Sequence, residues 1–204
     1  MAETGLSGVA ECTGCGAARS SPVVCTECGT IFEIPSDAFA LLGLTRSWTV
    51  DPVALEERYD LLSRAFREKS SARADAGERP KAAAEALDAA RRMLLDPIER
   101  AQYLLVSFGG VERDKPVRKR EFQSEVMEFD RAFAKARQEG DSARLASSVL
   151  EAEEKLASAI VAAGQSFTRL ERSFSEEIGA AADALAEARF WRRKVDELRV
   201  GLSG

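Results

Sequence analysis

The chain has 204 residues, 45% hydrophobic and 31% charged, with a formal net charge of −5; this is enough apolar material for one or two packed domains and excludes compositional disorder. No stretch reaches the ~20 apolar residues of a membrane helix, and the opening residues show neither a basic segment nor an apolar run of leader length, so a soluble cytoplasmic protein is expected. The acidity lies at the front, where residues 1–38 hold five acidic side chains and one basic one, a poor surface for a phosphate backbone, so no nucleic-acid partner is expected.

The four cysteines, Cys12, Cys15, Cys25 and Cys28, spell C-x2-C-x9-C-x2-C. Two C-x2-C turns let paired thiolates point into one tetrahedral site, and Gly14, Gly16 and Gly29 supply the backbone freedom such turns need. The chain contains no histidine, so a metal here is held by sulfur alone, closed to a catalytic water and therefore structural. Zinc is the expected metal; an iron centre, a redox pair, two disulfides or four ordinary thiols are the alternatives. Residues 1–35 read as this knuckle.

Asp37 or Ser36 caps a short helix through Phe39, Leu41 and Leu42, which Gly43 ends. Asp51-Pro52 starts the next, with an apolar stripe at Leu55, Tyr59, Leu62 and Phe66. Residues 67–80 are polar and read as a loop of about a dozen residues. A second helix carries Ala83, Leu87, Ala90 and Leu94. After Asp96-Pro97 a third carries Ile98, Ala101, Leu104 and Leu105 to Gly109-Gly110. The two long helices form an antiparallel hairpin. Three periodic segments follow: Phe122, Val126, Phe129, Phe133, Ala136; then Leu145, Val149, Ala152, Leu156, Ile160, continuing towards Leu170; then Ile178, Ala181, Leu185, Ala188, Val195, Leu198. These can bury their stripes against one another, which gives an all-α fold ending in a three-helix bundle. A coiled-coil dimer is the competing arrangement, because the spacing is near heptad.

The order of parts resembles the HscB family of DnaJ-type co-chaperones of iron–sulfur cluster assembly, in the form with an N-terminal zinc knuckle. The residues that carry the resemblance are Leu41-Leu42-Gly43-Leu44, the Asp51-to-Tyr59 helix start, Asp96-Pro97 followed by Arg100-Ala101-Gln102-Tyr103-Leu104-Leu105, and AADALAEARFW near the C-terminus. The resemblance implies a knuckle over 1–35, a J-like domain over 36–110 and a C-terminal bundle over 111–204. It implies a DnaK/HscA-type chaperone as partner of the hairpin and an IscU-type cluster scaffold as partner of the bundle. The family's ATPase-stimulating His-Pro-Asp falls at Arg67, Glu68 and Lys69, where all three residue types differ and a cation replaces the carboxylate, reversing the charge offered to the partner. The family's scaffold-binding patch maps to Gln123, Ser124, Met127 and Glu128, with Phe190 on the last helix. Gln123 and Ser124 are polar where the family has large apolar residues; Met127 and Phe190 are equally readable as bundle core.

The sequence offers no glycine-rich phosphate loop, and carboxylate pairs such as Glu56 with Asp60 or Glu153 with Glu154 read as solvated helix faces, so a non-enzymatic adaptor is expected. Three functions stand: an HscB-like co-chaperone that delivers a client, a J-like scaffold that binds without stimulating an ATPase, and a structural coiled-coil adaptor. The bundle reading expects a monomer.

Overall fold

The computed structural model describes residues 10–19, 21–70, 78–111, 120–173 and 177–202, leaving out the side chains of 68–70, 78–80 and 202. Among the described residues there are seven helices and no strands: α1 Ala38–Leu42, α2 Pro52–Ser70, α3 Glu78–Leu95, α4 Pro97–Ser107, α5 Arg120–Glu139, α6 Ser142–Ser173 and α7 Ile178–Leu202. None of these is long and apolar enough to cross a membrane. The chain divides into two compact units, Met1–Arg46 with Val50–Asp96, and Ser47–Thr49 with Pro97–Gly204.

In the first unit, the helix boundaries follow from capping chemistry. The Asp37 carboxylate accepts the Ala40 N–H at 2.7 Å, and Asp51 accepts the Val53 N–H at 2.9 Å while Pro52 takes the first helical position, where its missing N–H costs nothing. Gly43 ends α1 at φ 66°, with Gly43 N–H on Ala40 O and Leu44 N–H on Phe39 O, the paired closure that a left-handed residue permits. The stripe of α2 is buried at Leu55, Leu62 and Phe66, and α3 answers with Ala83, Leu87, Ala90 and Leu94. Tyr59, at the edge of that stripe, donates its hydroxyl to Asp88 at 2.6 Å. Arg91 makes a two-pronged pair with Glu56 at 2.7 and 2.6 Å and lies over the Tyr59 ring. Going along α2 from 56 to 59 means going back along α3 from 91 to 88, so the hairpin is antiparallel. Its connection is shorter than the sequence suggests. Helix α2 runs through Ser70 and α3 begins at Glu78, because no proline interrupts the first and Pro80 sits in the opening turn of the second, where a helix tolerates it.

In the second unit α4, which the sequence reading grouped with the hairpin, packs on α6 and α7, with an Arg189–Gln102 hydrogen bond tying it to α7. Helix α6 passes Gly164 unbroken and buries Phe167 and Leu170. Helices α5, α6 and α7 bury their stripes within one chain. Their shared core holds Phe129, Ala152, Trp191, Val195 and Leu198, with Phe122, Val126, Phe133, Val149, Leu156 and Phe190 around it. The α5 and α7 sides meet through large rings: Trp191 is edge-on to Phe129 at 5.5 Å and to Phe122 at 6.3 Å. Ion pairs Lys194–Asp130 and Lys155–Glu125, each at 2.7 Å, flank this contact.

Candidate metal centre and partner-binding faces

Each C-x2-C turn is closed by a glycine: Gly16 N–H reaches Cys12 O at 2.8 Å and Gly29 N–H reaches Cys25 O at 2.9 Å. Both glycines are left-handed, at φ 74° and 73°, which a side chain would strain. A second pair of bonds holds each turn as a tight hairpin, Cys12 N–H to Ala17 O at 2.7 Å and Cys25 N–H to Thr30 O at 2.9 Å. The turns face each other. All four sulfurs lie within 4.8 Å of one another, with Cys12–Cys28 at 3.6 Å and Cys15–Cys25 at 3.7 Å. Bonds of ~2.3 Å to a tetrahedral zinc would place sulfurs about 3.8 Å apart, so the donor set fits a four-thiolate ion. The four cysteines are unpaired thiols, and the group can hold a metal ion.

Electrostatics point the same way. The Thr30 hydroxyl, then the Thr30 amide, stabilise the Cys28 thiolate and bring its pKa down to about 6. Cys15 accepts the Ala17 amide, which favours its thiolate, but the neighbouring Cys28 sulfur, burial and the other two thiols outweigh it and push the pKa up to about 12. Four sulfurs this close keep a proton among them until a cation replaces it. Cys12, Cys25 and Phe32 form a small core of their own, and the Arg19 guanidinium lies 3.5 Å over the Phe32 ring.

Arg67, Glu68 and Lys69, expected in a loop, are helical. Positions 67, 68 and 69 belong to the last turns of α2, and the Arg67 side chain is exposed; the side chains of Glu68 and Lys69 lie outside the described residues. On α5, Gln123, Ser124, Met127 and Glu128 share one exposed face. Met127 is 54% exposed and so is not core. Phe190 is half-buried, edge-on to Phe122 at 5.4 Å and to Trp191 at 5.3 Å, so it is anchored in the aromatic core. Neither tryptophan is assigned a packing role by the sequence alone. Trp191 continues the α7 stripe between Ala188 and Val195 and was findable by spacing; Trp48 sits alone in a connector and gives no periodic signal. Its ring stacks on Phe167 at 5.6 Å and 15°, and its backbone N–H donates to the Glu171 carboxylate.

No protein-family model matches the sequence, and no curated protein matches it. Solved structures do. The human co-chaperone protein HscB superposes with a TM-score of 0.73 at 21% identity, covering 94% of this chain and 98% of that one. The fold is that of the HscB co-chaperones. The chaperone HscB from Vibrio cholerae gives a TM-score of 0.63 at 24% identity, over 82% of this chain and 98% of that one.

Proposed function

We propose that this protein is an HscB-like co-chaperone or adaptor in iron–sulfur cluster assembly, working in the cytoplasm by binding rather than by catalysis. The observation that carries the reading is the fold likeness over 94% of the chain, which takes in the knuckle, the hairpin and the helical bundle in one order. In this reading the four cysteines hold a structural zinc, the α5 face with Gln123, Ser124, Met127 and Glu128 receives an IscU-type scaffold beside Phe190, and the hairpin is the side offered to a DnaK/HscA-type chaperone. The exposure of Met127 supports a contact role for it, since an apolar side chain 54% open to water has no packing task.

A second reading has its own support. Helix α2 continues through Arg67, Glu68 and Lys69 to Ser70, where a stimulating loop needs a carboxylate and a stiff turn, so this chain acts as a J-like scaffold that does not accelerate its chaperone. Two assays separate the readings. Binding of an IscU-type scaffold by calorimetry tests the shared part: Met127→Asp should weaken it at least tenfold, and no measurable binding by the unmodified chain would defeat the cluster-assembly assignment. Hydrolysis by a DnaK-type chaperone tests the rest. The unmodified chain should leave the rate unchanged, and a several-fold acceleration would eliminate the scaffold reading. The triple change Arg67→His, Glu68→Pro, Lys69→Asp should confer some stimulation, because the proline ends α2 where the family's helix ends.

A further inference from the structure

A shift of thirteen residues carries Cys12 onto Cys25 and Cys15 onto Cys28, and with them Gly16 onto Gly29 and the bond Arg19 N–H to Ala10 O onto Phe32 N–H to Val23 O. The knuckle is thus two copies of one hairpin facing each other. Within the turns themselves, residues 12–17 against 25–30, the copies differ at two places. Thr30 has its hydroxyl 3.1 Å from Cys28 Sγ, whereas its counterpart Ala17 has no hydroxyl to give Cys15. Across from Thr30 stands Gly14, whose counterpart in the other copy is Glu27. A Cβ on Gly14 would lie 2.2 Å from Thr30 Oγ1 and 3.4 Å from Cys28 Sγ. Gly14 is not among the left-handed glycines, so it is needed for space and not for backbone conformation. The hydroxyl and the missing Cβ come as a pair; the other copy has glutamate and alanine at these two positions.

We propose that Thr30 is a positioning residue of the metal centre: its hydroxyl donates to the Cys28 sulfur, fixing that ligand's direction, and Gly14 is glycine so that the hydroxyl can reach it. This inference rests on the reading of the four thiols as metal ligands. A donor to a bound thiolate holds one lone pair and leaves another for the metal, so the sulfur is oriented before the ion arrives. Removing such an outer partner lowers metal affinity ~10–100-fold.

The test is competition of the full-length chain against a chromophoric chelator for Zn(II) and for Co(II), with the sulfur-to-cobalt charge-transfer absorption recorded. Thr30→Ala, which makes the second hairpin resemble the first, should weaken both metals ~10–100-fold and shift that absorption, and Thr30→Ser should restore affinity and band position. Gly14→Ala should reproduce the Thr30→Ala loss by displacing the hydroxyl, and the double variant should lose no more than either single one, because both changes remove the same bond. A merely structural role would give additive losses, an unshifted cobalt spectrum and no rescue by serine. If Thr30→Ala binds both metals as the unmodified chain does, the proposal falls and the metal reading stands. If the unmodified chain takes up neither metal while its four thiols remain free, the metal reading falls and the proposal with it.

Discussion

Replacing Gly164 by alanine should destabilise the helical unit, against the usual sign of that exchange. In an ordinary helix interior, Gly→Ala gains about 1 kcal/mol, because glycine gives up more backbone freedom on folding. At 164 the added Cβ would stand 2.4, 2.8 and 3.1 Å from Nε1, Cε2 and Cζ2 of Trp48. An indole is rigid, and this one is stacked on Phe167, with the Arg100 guanidinium 4.9 Å over its ring and its backbone fixed by Glu171. It cannot yield by the required distance without leaving its place. Overpacking of this kind costs ~1–3 kcal/mol, and the lost ring stack about 0.5–1.5 kcal/mol more. These exceed the propensity gain, so we expect a net loss of ~1–3 kcal/mol in urea unfolding followed by far-UV circular dichroism. In a Trp48→Ala background the obstacle is gone, and the same Gly164→Ala change should then stabilise by about 1 kcal/mol. If it stabilises in the unmodified background as well, Trp48 does not lie on α6 and the account of this contact is wrong.

Leu62→Ala should cost ~2–5 kcal/mol, since Leu62 is 2% exposed between α2 and α3; an unchanged denaturation midpoint would place that stripe on the surface. Purified protein should carry one zinc per chain by elemental analysis. Cys25→Ser should abolish the zinc while the helical circular dichroism persists, because the helices have buried stripes of their own; loss of helix together with metal would contradict this. The Arg91 hydrogen bond and charge hold the Glu56 carboxyl below its ordinary pKa. Its folded-state pKa is depressed, so its contribution is present above the unfolded value and is lost as pH falls through the folded one. Glu56→Gln should therefore lower stability at pH 7 and flatten its acid dependence in the region just below pH 4.5, and an unchanged pH profile would show that the pair does not form in solution.

Much of the fold was legible because its signals are local. The stripe Ala83, Leu87, Ala90, Leu94 is buried residue for residue, and the caps at Asp37, Asp51 and Gly43 act where the sequence places them. The tetracysteine site was equally plain, since ligand spacing and glycine positions are written in a few consecutive residues. What was not legible depends on contacts between distant positions. Trp48 finds Phe167 and Gly164 across more than a hundred residues, and nothing in its own neighbourhood announces it. Gly164 carries no mark of its own inside the α6 pattern and is the gap an indole fills. Gly14 looked like turn flexibility and is space for a hydroxyl. In both cases the residue's type was visible and its reason was not, because the reason is the shape of a partner elsewhere in the chain.

The end of α2 differs in backbone as well as in charge from what a His-Pro-Asp sequence would give. Proline lacks an N–H and disfavours helical geometry in the residue before it, so a His-Pro-Asp sequence ends a helix and begins a loop. With glutamate at 68 neither constraint applies, and α2 continues to Ser70. Consecutive positions on an α-helix are turned by ~100°, so 67, 68 and 69 fan out around the axis and cannot converge on one acceptor as a stiff turn can. Under the proposed scaffold reading the segment therefore lacks both the carboxylate and the backbone that would present it. Lys69→Asp alone restores the charge on a helical backbone, and Glu68→Pro alone restores the turn without the charge. Neither should stimulate a chaperone. Stimulation by Lys69→Asp alone would show that charge is the whole requirement and that the helical continuation of α2 has no bearing on it.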